Sequence, residues 1–336
     1  MARRVFRCGV IGYGGAFSMG NAHLTSLSKN AGMEAAAICE LDPKRQKVAA
    51  EEWPDAAIYG QVGDMLRHAQ LDLATVITPH NTHAPLALQC LDAKVGVVLE
   101  KPMALTGKEV KDMIALAKRR KVMLSCFHNR RWDGDFLVLR DLIRKEKIIG
   151  RVFRIEGGGN GYNPQGTWWR SNKKISGGAI YDWGAHFTDW ILNIVTDDIE
   201  WVSGYQVKNK EWGHYTNEDH SEYTVKFKGG CVATLTISNL AMSPRPRWRI
   251  LGEQGAIEAG DGKWLVKSVV NGRQMTAEVP FAESNWDAYY KNVYRHLQGR
   301  AKLAVTAESA GRNIGVLHAA NVSAAKGSAP VKPAFK

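Results

Sequence analysis

Between residues 5 and 127 short apolar runs alternate with stretches of helical spacing. The runs are Val5 to Gly12, Ala35 to Cys39, Leu71 to Thr78, Val95 to Glu100 and Val122 to Phe127. Runs that stay apolar at successive positions suit strands covered on both faces, as in a parallel sheet. Pro43 opens a helical stretch to about Trp53, Pro85 another to Ala93, and Lys108 to Lys121 a third. Strict strand–helix alternation predicts a doubly wound parallel sheet, the Rossmann arrangement, over residues 1–125.

After about residue 128 the pattern changes. Asp135 to Lys147, Gly178 to Val195, Trp286 to Leu297 and Ala307 to Lys326 have helical periodicity. Eight other runs alternate with period two, from Arg151 to Gly158 through Gln274 to Val279, with glycine turns at Gly229-Gly230 and Asn271-Gly272. Alternation of this kind marks strands with one covered face. Residues 126–336 are therefore expected to form an α+β domain on a large, mostly antiparallel open sheet. The tail from Gly327 is expected to be loose.

Composition narrows the function. The 336 residues carry a formal charge of +12, but the basic residues are scattered, with no zinc-finger or RNA-binding signature, so nucleic acid is not an expected partner. No apolar run approaches the roughly 18 residues of a membrane helix, and the apolar stretch after Arg3-Arg4 is too short for an export signal. The five cysteines are odd in number and form no Cys-x-x-Cys pair, which points to a reducing cytoplasm and no metal site.

Three stretches carry candidate chemistry. The first strand runs into Gly12-Tyr13-Gly14-Gly15-Ala16-Phe17, where glycines permit a tight turn and close backbone approach to a pyrophosphate. The third motif position is Phe17, and Gly20 follows three residues later, which predicts a longer or reshaped loop. Glu40, at the end of the second apolar run, is placed to accept hydrogen bonds from ribose hydroxyls. The second stretch is Glu100-Lys101-Pro102, where a charged pair stands at a strand's carboxyl end, the position at which α/β sheets bind ligands. Its X-Pro bond is a candidate cis peptide. In the third stretch, from Gly177-Gly178, Asp182 and His186 are four apart and are expected to share one helical face. There an imidazole can exchange a proton near neutral pH.

Together these motifs resemble the glucose–fructose oxidoreductase / inositol dehydrogenase / rhizopine-catabolism (Gfo/Idh/MocA) family of NAD(P)-dependent oxidoreductases. The resemblance rests on Gly12-x-Gly14-Gly15, on Thr78-Pro79 with Asn81 and His83, on Glu100-Lys101-Pro102, and on Gly177-Gly178 with Asp182-x-Gly184-x-His186-x-x-Asp189. It implies NAD as cofactor, with NADP possible, held by the glycine loop and Glu40 and bordered by Thr78, Pro79, Asn81, His83, Glu100 and Lys101. It implies a catalytic group of Lys101, Asp182 and His186, in which His186 takes the hydroxyl proton and Lys101 donates to the same oxygen. Asn129 and Arg130 resemble a segment of the sugar- and inositol-dehydrogenase members. Tyr162, Trp168 and Trp169 are candidate stacking surfaces for a sugar ring. The leading expectation is a dehydrogenase acting on a ring carbinol of a sugar, sugar derivative or inositol. Two alternatives stay open: a redox-neutral cycle on tightly held NAD, including glycoside cleavage through a 3-keto intermediate, and a non-catalytic dinucleotide-binding regulator. A homodimer or homotetramer is expected through the C-terminal sheet, whose strands Cys231 to Ser238 and Trp264 to Val270 carry apolar residues suited to an interface.

Overall fold

A computed structural model describes residues 4–209 and 211–335. Six parallel strands form the first sheet: β1 (Phe6–Ile11), β2 (Met33–Cys39), β3 (Ala57–Tyr59), β4 (Leu73–Val76), β5 (Gly96–Leu99) and β6 (Leu124–Cys126). Their order, β3-β2-β1-β4-β5-β6, is that of a doubly wound sheet. β1, β4 and β5 are buried almost throughout, which is why they read as unbroken apolar runs. Helices α1 (Met19–Ser28), α2 (Pro43–Glu52), α3 (Val62–His68), α4 (His83–Asp92) and α5 (Gly107–Arg120) make the crossovers. The short edge strand β3 and helix α3 are not evident as separate elements in the apolar pattern.

The second sheet has eight strands. They are β7 (Val152–Asn160), β8 (Ile199–Val207), β9 (His220–Phe227), β10 (Val232–Ser238), β11 (Trp248–Gly252), β12 (Gly255–Ala259), β13 (Lys263–Val270) and β14 (Arg273–Pro280). The order is β14-β13-β12-β11-β7-β10-β9-β8, and every pairing is antiparallel except β7 with β10. Five helices complete the chain: α6 (Gly134–Arg144), α7 (Lys173–Ser176), α8 (Trp183–Ile194), α9 (Asp287–Leu297) and α10 (Ala307–Ala325).

Contacts divide the chain into two compact units. One runs through Ala104 and adds Lys108–His128 and Asp287–Ala310; the other holds Leu105–Gly107, Asn129–Trp286 and Gly311–Lys336. These boundaries differ from a single cut after residue 125, because α9 returns to the first unit. Its Tyr289, Tyr290 and Tyr294 are buried there. Tyr289 stacks edge-on to Phe127 at 4.8 Å, and Tyr294 meets Phe6 at 6.2 Å.

In the second unit α8 packs on the inner face of the sheet. Phe187 and Trp190 meet Trp248 at 5.1 and 5.8 Å, and the Tyr223 hydroxyl bonds Thr188 at 2.9 Å. Of the apolar residues in β10 and β13, Ala233, Leu235, Trp264 and Val266 are buried, while Val269 and Val270 are exposed. Period-two alternation gives the far face a polar row among scattered apolar residues such as Leu265 and exposed Tyr205. Thr224, Thr234, Glu156, Arg249 and Glu258 lie side by side across five strands. Arg249 bridges Glu156 at 2.8 Å and Glu258 at 3.6 Å. Burial raises the pKa of Glu156, but hydrogen bonds from Arg249 and Arg154 outweigh it and hold the carboxyl below its usual range. The tail is also tied down: Val331 and Val202 exchange backbone hydrogen bonds of 2.8 and 2.9 Å, and Ser203 Oγ donates to Ser328 O at 3.0 Å.

Among the described residues no helix is long and apolar enough to cross a membrane, all five cysteines are buried thiols, and no group of three or more His, Cys, Asp or Glu is placed to hold a metal ion.

Candidate active site

The glycine loop follows β1. Gly12 has φ +99°, and a Cβ there would lie 2.3 Å from the Ile77 carbonyl oxygen, so only glycine fits. A Cβ on Gly14 would meet nothing within 4 Å, which leaves that backbone open for a phosphate. Residues 14–18 are exposed. Phe17 and Ser18 adopt left-handed backbone, with φ of 60° and 48°, before α1 begins. This is the reshaped loop that the missing third glycine predicts. Left-handed backbone costs a non-glycine residue roughly 1–2 kcal/mol.

Tyr13 does not present its ring to a ligand. The ring is buried, and its hydroxyl donates to Glu52. Its backbone carries the useful contacts: Tyr13 N donates to Glu40 Oε2 at 2.6 Å, and Arg45 Nε donates to Tyr13 O at 3.0 Å. Glu40 Oε1 accepts from Leu41 N and Asp42 N at 2.7 and 3.0 Å. Four backbone contacts therefore fix a carboxylate and a guanidinium at the loop. This cradle fits the adenosine side of a dinucleotide.

Lys101 follows β5, and its bond to Pro102 is cis. Glu100 turns inward. Its Oε2 accepts Lys101 N at 2.8 Å, and its Oε1 accepts from His23 Nε2 at 3.0 Å. The Tyr290 hydroxyl then spans His23 Nδ1 at 2.7 Å and Thr75 Oγ1 at 3.0 Å. Burial pushes the Glu100 pKa up, but His23 and Lys101 pull it further down, so the carboxyl stays below its ordinary value. Glu100 is thus an internal anchor for the Lys101 backbone. His83 is internal too: its ring nitrogens lie 2.8 Å from the carbonyls of Pro102 and Thr78, and burial lowers its pKa. It joins two loops rather than facing solvent. Thr78 and Pro79 are half-buried and Asn81 is exposed, in the turn that leads into α4. His23, Thr75 and Tyr290 have no local sequence signal for these roles.

In the second unit the glycine pair precedes α8. Gly177 and Gly178 have φ +89° and +117°, and a Cβ on Gly178 would stand 3.0 Å from Glu218 Oε2. That same oxygen accepts Ala179 N at 3.1 Å, and Lys173 pairs with the other. A short 3-10 turn over Ala179–Tyr181 comes before α8, so the expected continuous helix is divided. Asp182 is the cap of α8, with ψ −91°, rather than a residue on its face. Arg170 Nη1 donates to Asp182 Oδ1 at 3.2 Å. His186 is buried in the first turn, 5.5 Å from the Trp183 ring. Three residues on, Asp189 receives a two-pronged hydrogen bond from buried Arg131, at 2.8 and 2.7 Å. Asn313 Nδ2 holds the Ala185 carbonyl at 2.6 Å.

The proposed substrate residues separate into two groups. Arg130 and half-buried Asn129 lie on the turn before α6. The Arg130 guanidinium stacks on Trp183 at 4.7 Å and on Trp286 at 5.3 Å. Trp168 and Trp169 carry Arg170 at 5.2 and 5.1 Å, which brings them to the Asp182 end of α8. Tyr162 is exposed and packs instead against Trp212 at 5.0 Å.

Comparisons with known proteins agree with this architecture. Residues 6–128 match the oxidoreductase family with an NAD-binding Rossmann fold, and residues 136–258 match the GFO/IDH/MocA C-terminal domain. The uncharacterized oxidoreductase YdgJ of Escherichia coli is 33% identical over 189 residues, covering 56% of this chain and 53% of that protein. The scyllo-inositol 2-dehydrogenase (NADP(+)) IolW of Bacillus subtilis is 24% identical over 338 aligned positions, covering 94% of this chain and 92% of that protein. The WlbA dehydrogenase from Bordetella pertussis, solved with NADH and UDP-GlcNAcA, shares the fold at a TM-score of 0.82 and 23% identity, over 98% of this chain and 99% of that one. With both domains matched in order, the chain belongs to the Gfo/Idh/MocA oxidoreductase family and carries its NAD-binding Rossmann domain.

Proposed function

We propose that the protein is a nicotinamide-dependent dehydrogenase of a ring carbinol in a sugar, sugar derivative or cyclic polyol. The observation that carries this reading is the buried His186 imidazole in the first turn of α8, next to the Asp182 cap. His186 accepts the hydroxyl proton as the carbon is oxidised. Lys101 donates to the same oxygen and offsets its developing negative charge. Asp182 orients the substrate, with Arg130, Asn129, Trp168 and Trp169 around it. Bound NAD supplies the hydride acceptor. The Gly12–Phe17 loop and Glu40 hold its adenosine half, and Glu40 disfavours a 2′-phosphate. Support for the substrate class comes from the inositol 2-dehydrogenase relative that spans nearly the whole chain.

The test is a panel of polyols and sugars with NAD and NADP, read by the absorbance of reduced nicotinamide. Turnover of a cyclic polyol or sugar, faster with NAD, is the expected result. NADP preference would show that Glu40 does not meet the ribose. No reduction by any member, with dinucleotide binding intact, would overturn the dehydrogenase reading.

A further inference from the structure

Three arginines surround the start of α8, and each lies on tryptophan. Arg170 covers Trp168 and Trp169. Arg130 covers Trp183 and Trp286, and Arg247 covers Trp183 from 5.9 Å and Trp190 from 5.1 Å. Trp183 is therefore flanked by two guanidinium groups, and its ring is the neighbour of His186.

Each arginine also leans on a carboxylate, and the relative exposure of the partners differs. Arg130 Nη1 donates to Asp133 Oδ2 at 3.0 Å; the arginine side chain is 26% exposed and the aspartate 8%. Asp133 is further held by Trp286 Nε1 at 2.6 Å. Arg247 approaches Asp135 at 3.4 Å, with exposures of 41% and 14%. In both pairs the acid lies behind and the cation in front. At Arg170–Asp182 the order reverses, 23% against 36%. Around the start of α8 the more exposed partner thus differs from pair to pair: the carboxylate at Arg170–Asp182, the guanidinium at Arg130 and Arg247.

A guanidinium has five donors and no acceptor, and stacking plus a rear carboxylate fixes its plane in advance. Such a fork suits anionic oxygens better than hydroxyls, which both donate and accept. From this, and resting on the dehydrogenase reading above, we propose that the substrate carries an anionic substituent, a carboxylate or a phosphate, held by Arg130 with Arg247 beside Trp183. The reacting hydroxyl faces Asp182 and His186.

The experiment pairs acids with their neutral parents: glucuronate with glucose, galacturonate with galactose, and glucose 6-phosphate with glucose. Binding to the NAD-loaded protein is measured by calorimetry, and turnover separately. At least one acid should bind about tenfold or more tightly than its parent, as charged hydrogen bonds allow. Whether a uronate or the phosphate ester wins identifies the anion. Arg130→Gln should erase the preference, and Arg130→Lys should retain part of it, since an ammonium lacks the fork. Arg247→Gln provides a second variant should Arg130→Gln fold poorly; it should reduce the preference. Equal binding of acid and parent, or equal weakening of both by Arg130→Gln, overturns the proposal. Turnover of neutral sugars with no acid preference leaves the dehydrogenase reading standing while the anion site falls. Arg130-dependent binding of an acid without cofactor reduction does the reverse. If none of these compounds binds, the anion site falls, and the dehydrogenase reading is decided by the polyol and sugar panel above.

Discussion

The two functional regions are built on opposite plans. Around Lys101, polar groups close on one another inside the unit: Thr75, Tyr290, His23 and Glu100 form one hydrogen-bonded chain that ends on the Lys101 backbone. Around His186, several polar groups lean outward on aromatic rings, while the Arg131–Asp189 pair is internal. The first plan fixes one backbone position through buried contacts, and the second leaves several half-exposed side chains at the surface. On the dehydrogenase reading proposed above, the difference teaches that a reaction can rest on the first region while specificity is adjusted in the second.

The contrast can be broken most strongly at the reacting groups. His186→Ala should lower kcat by about 10²–10⁴-fold, and Lys101→Ala by about 10²–10³-fold. NAD affinity by fluorescence titration should change little in either. A near wild-type kcat in His186→Ala would move the base to Asp182, and lost NAD binding would make the residue a cofactor contact.

Next in size is the internal pair of the second unit. Arg131→Ala removes the bidentate guanidinium from a buried carboxylate, and breaking such a pair costs about 3–5 kcal/mol. Chemical denaturation measures it; a change below about 1 kcal/mol would mean that water replaces the guanidinium. In the first unit, Tyr290→Phe deprives both His23 Nδ1 and Thr75 Oγ1 of their partner. The expected cost is about 1–3 kcal/mol, and an unchanged midpoint would show that the chain is not continuous.

The smallest effect is on pH dependence. His83 has a lowered pKa when folded, so the unfolded chain binds its proton first. The stability it supports is present above its ordinary value of 6.5 and is lost as pH falls below it. Glu100, also lowered, adds a further loss as pH falls below 4.5. Melting temperature from neutral to acid pH should decline in both ranges. His83→Gln should flatten the first decline, and an unaltered slope would assign it to another group.

Much of this was legible in the sequence because it is local. The eight alternating runs after residue 150 are the eight strands β7–β14, since period two reports one covered face. The glycine loop, Glu40 and Lys101 could be placed because each lies at the end of an apolar run. What was not legible depends on distance along the chain or on cap geometry. Nothing near Tyr290 indicates His23 as its partner. Spacing of four suggested that Asp182 and His186 share a helix face, but the left-handed glycines start a 3-10 turn and leave Asp182 as the cap. His83 lies in a motif with polar neighbours, yet burial directs both ring nitrogens to carbonyls. Arginine stacking on Trp183 joins residues from three distant stretches, and only Arg130 had been singled out.

The return of α9 to the first unit has a consequence for how the chain matures on the ribosome. Synthesis proceeds from the N-terminus, and domains generally fold as units during it. Here the six strands of the first sheet have emerged by residue 126, but Tyr289 and Tyr290 come more than 160 residues later. Until then His23, Thr75 and Ser125 lack their tyrosine hydroxyl partners. The nascent Rossmann sheet therefore waits with its central seam unsealed while the entire second sheet is made, and a fragment ending at His128 should resemble that waiting state rather than an independent domain.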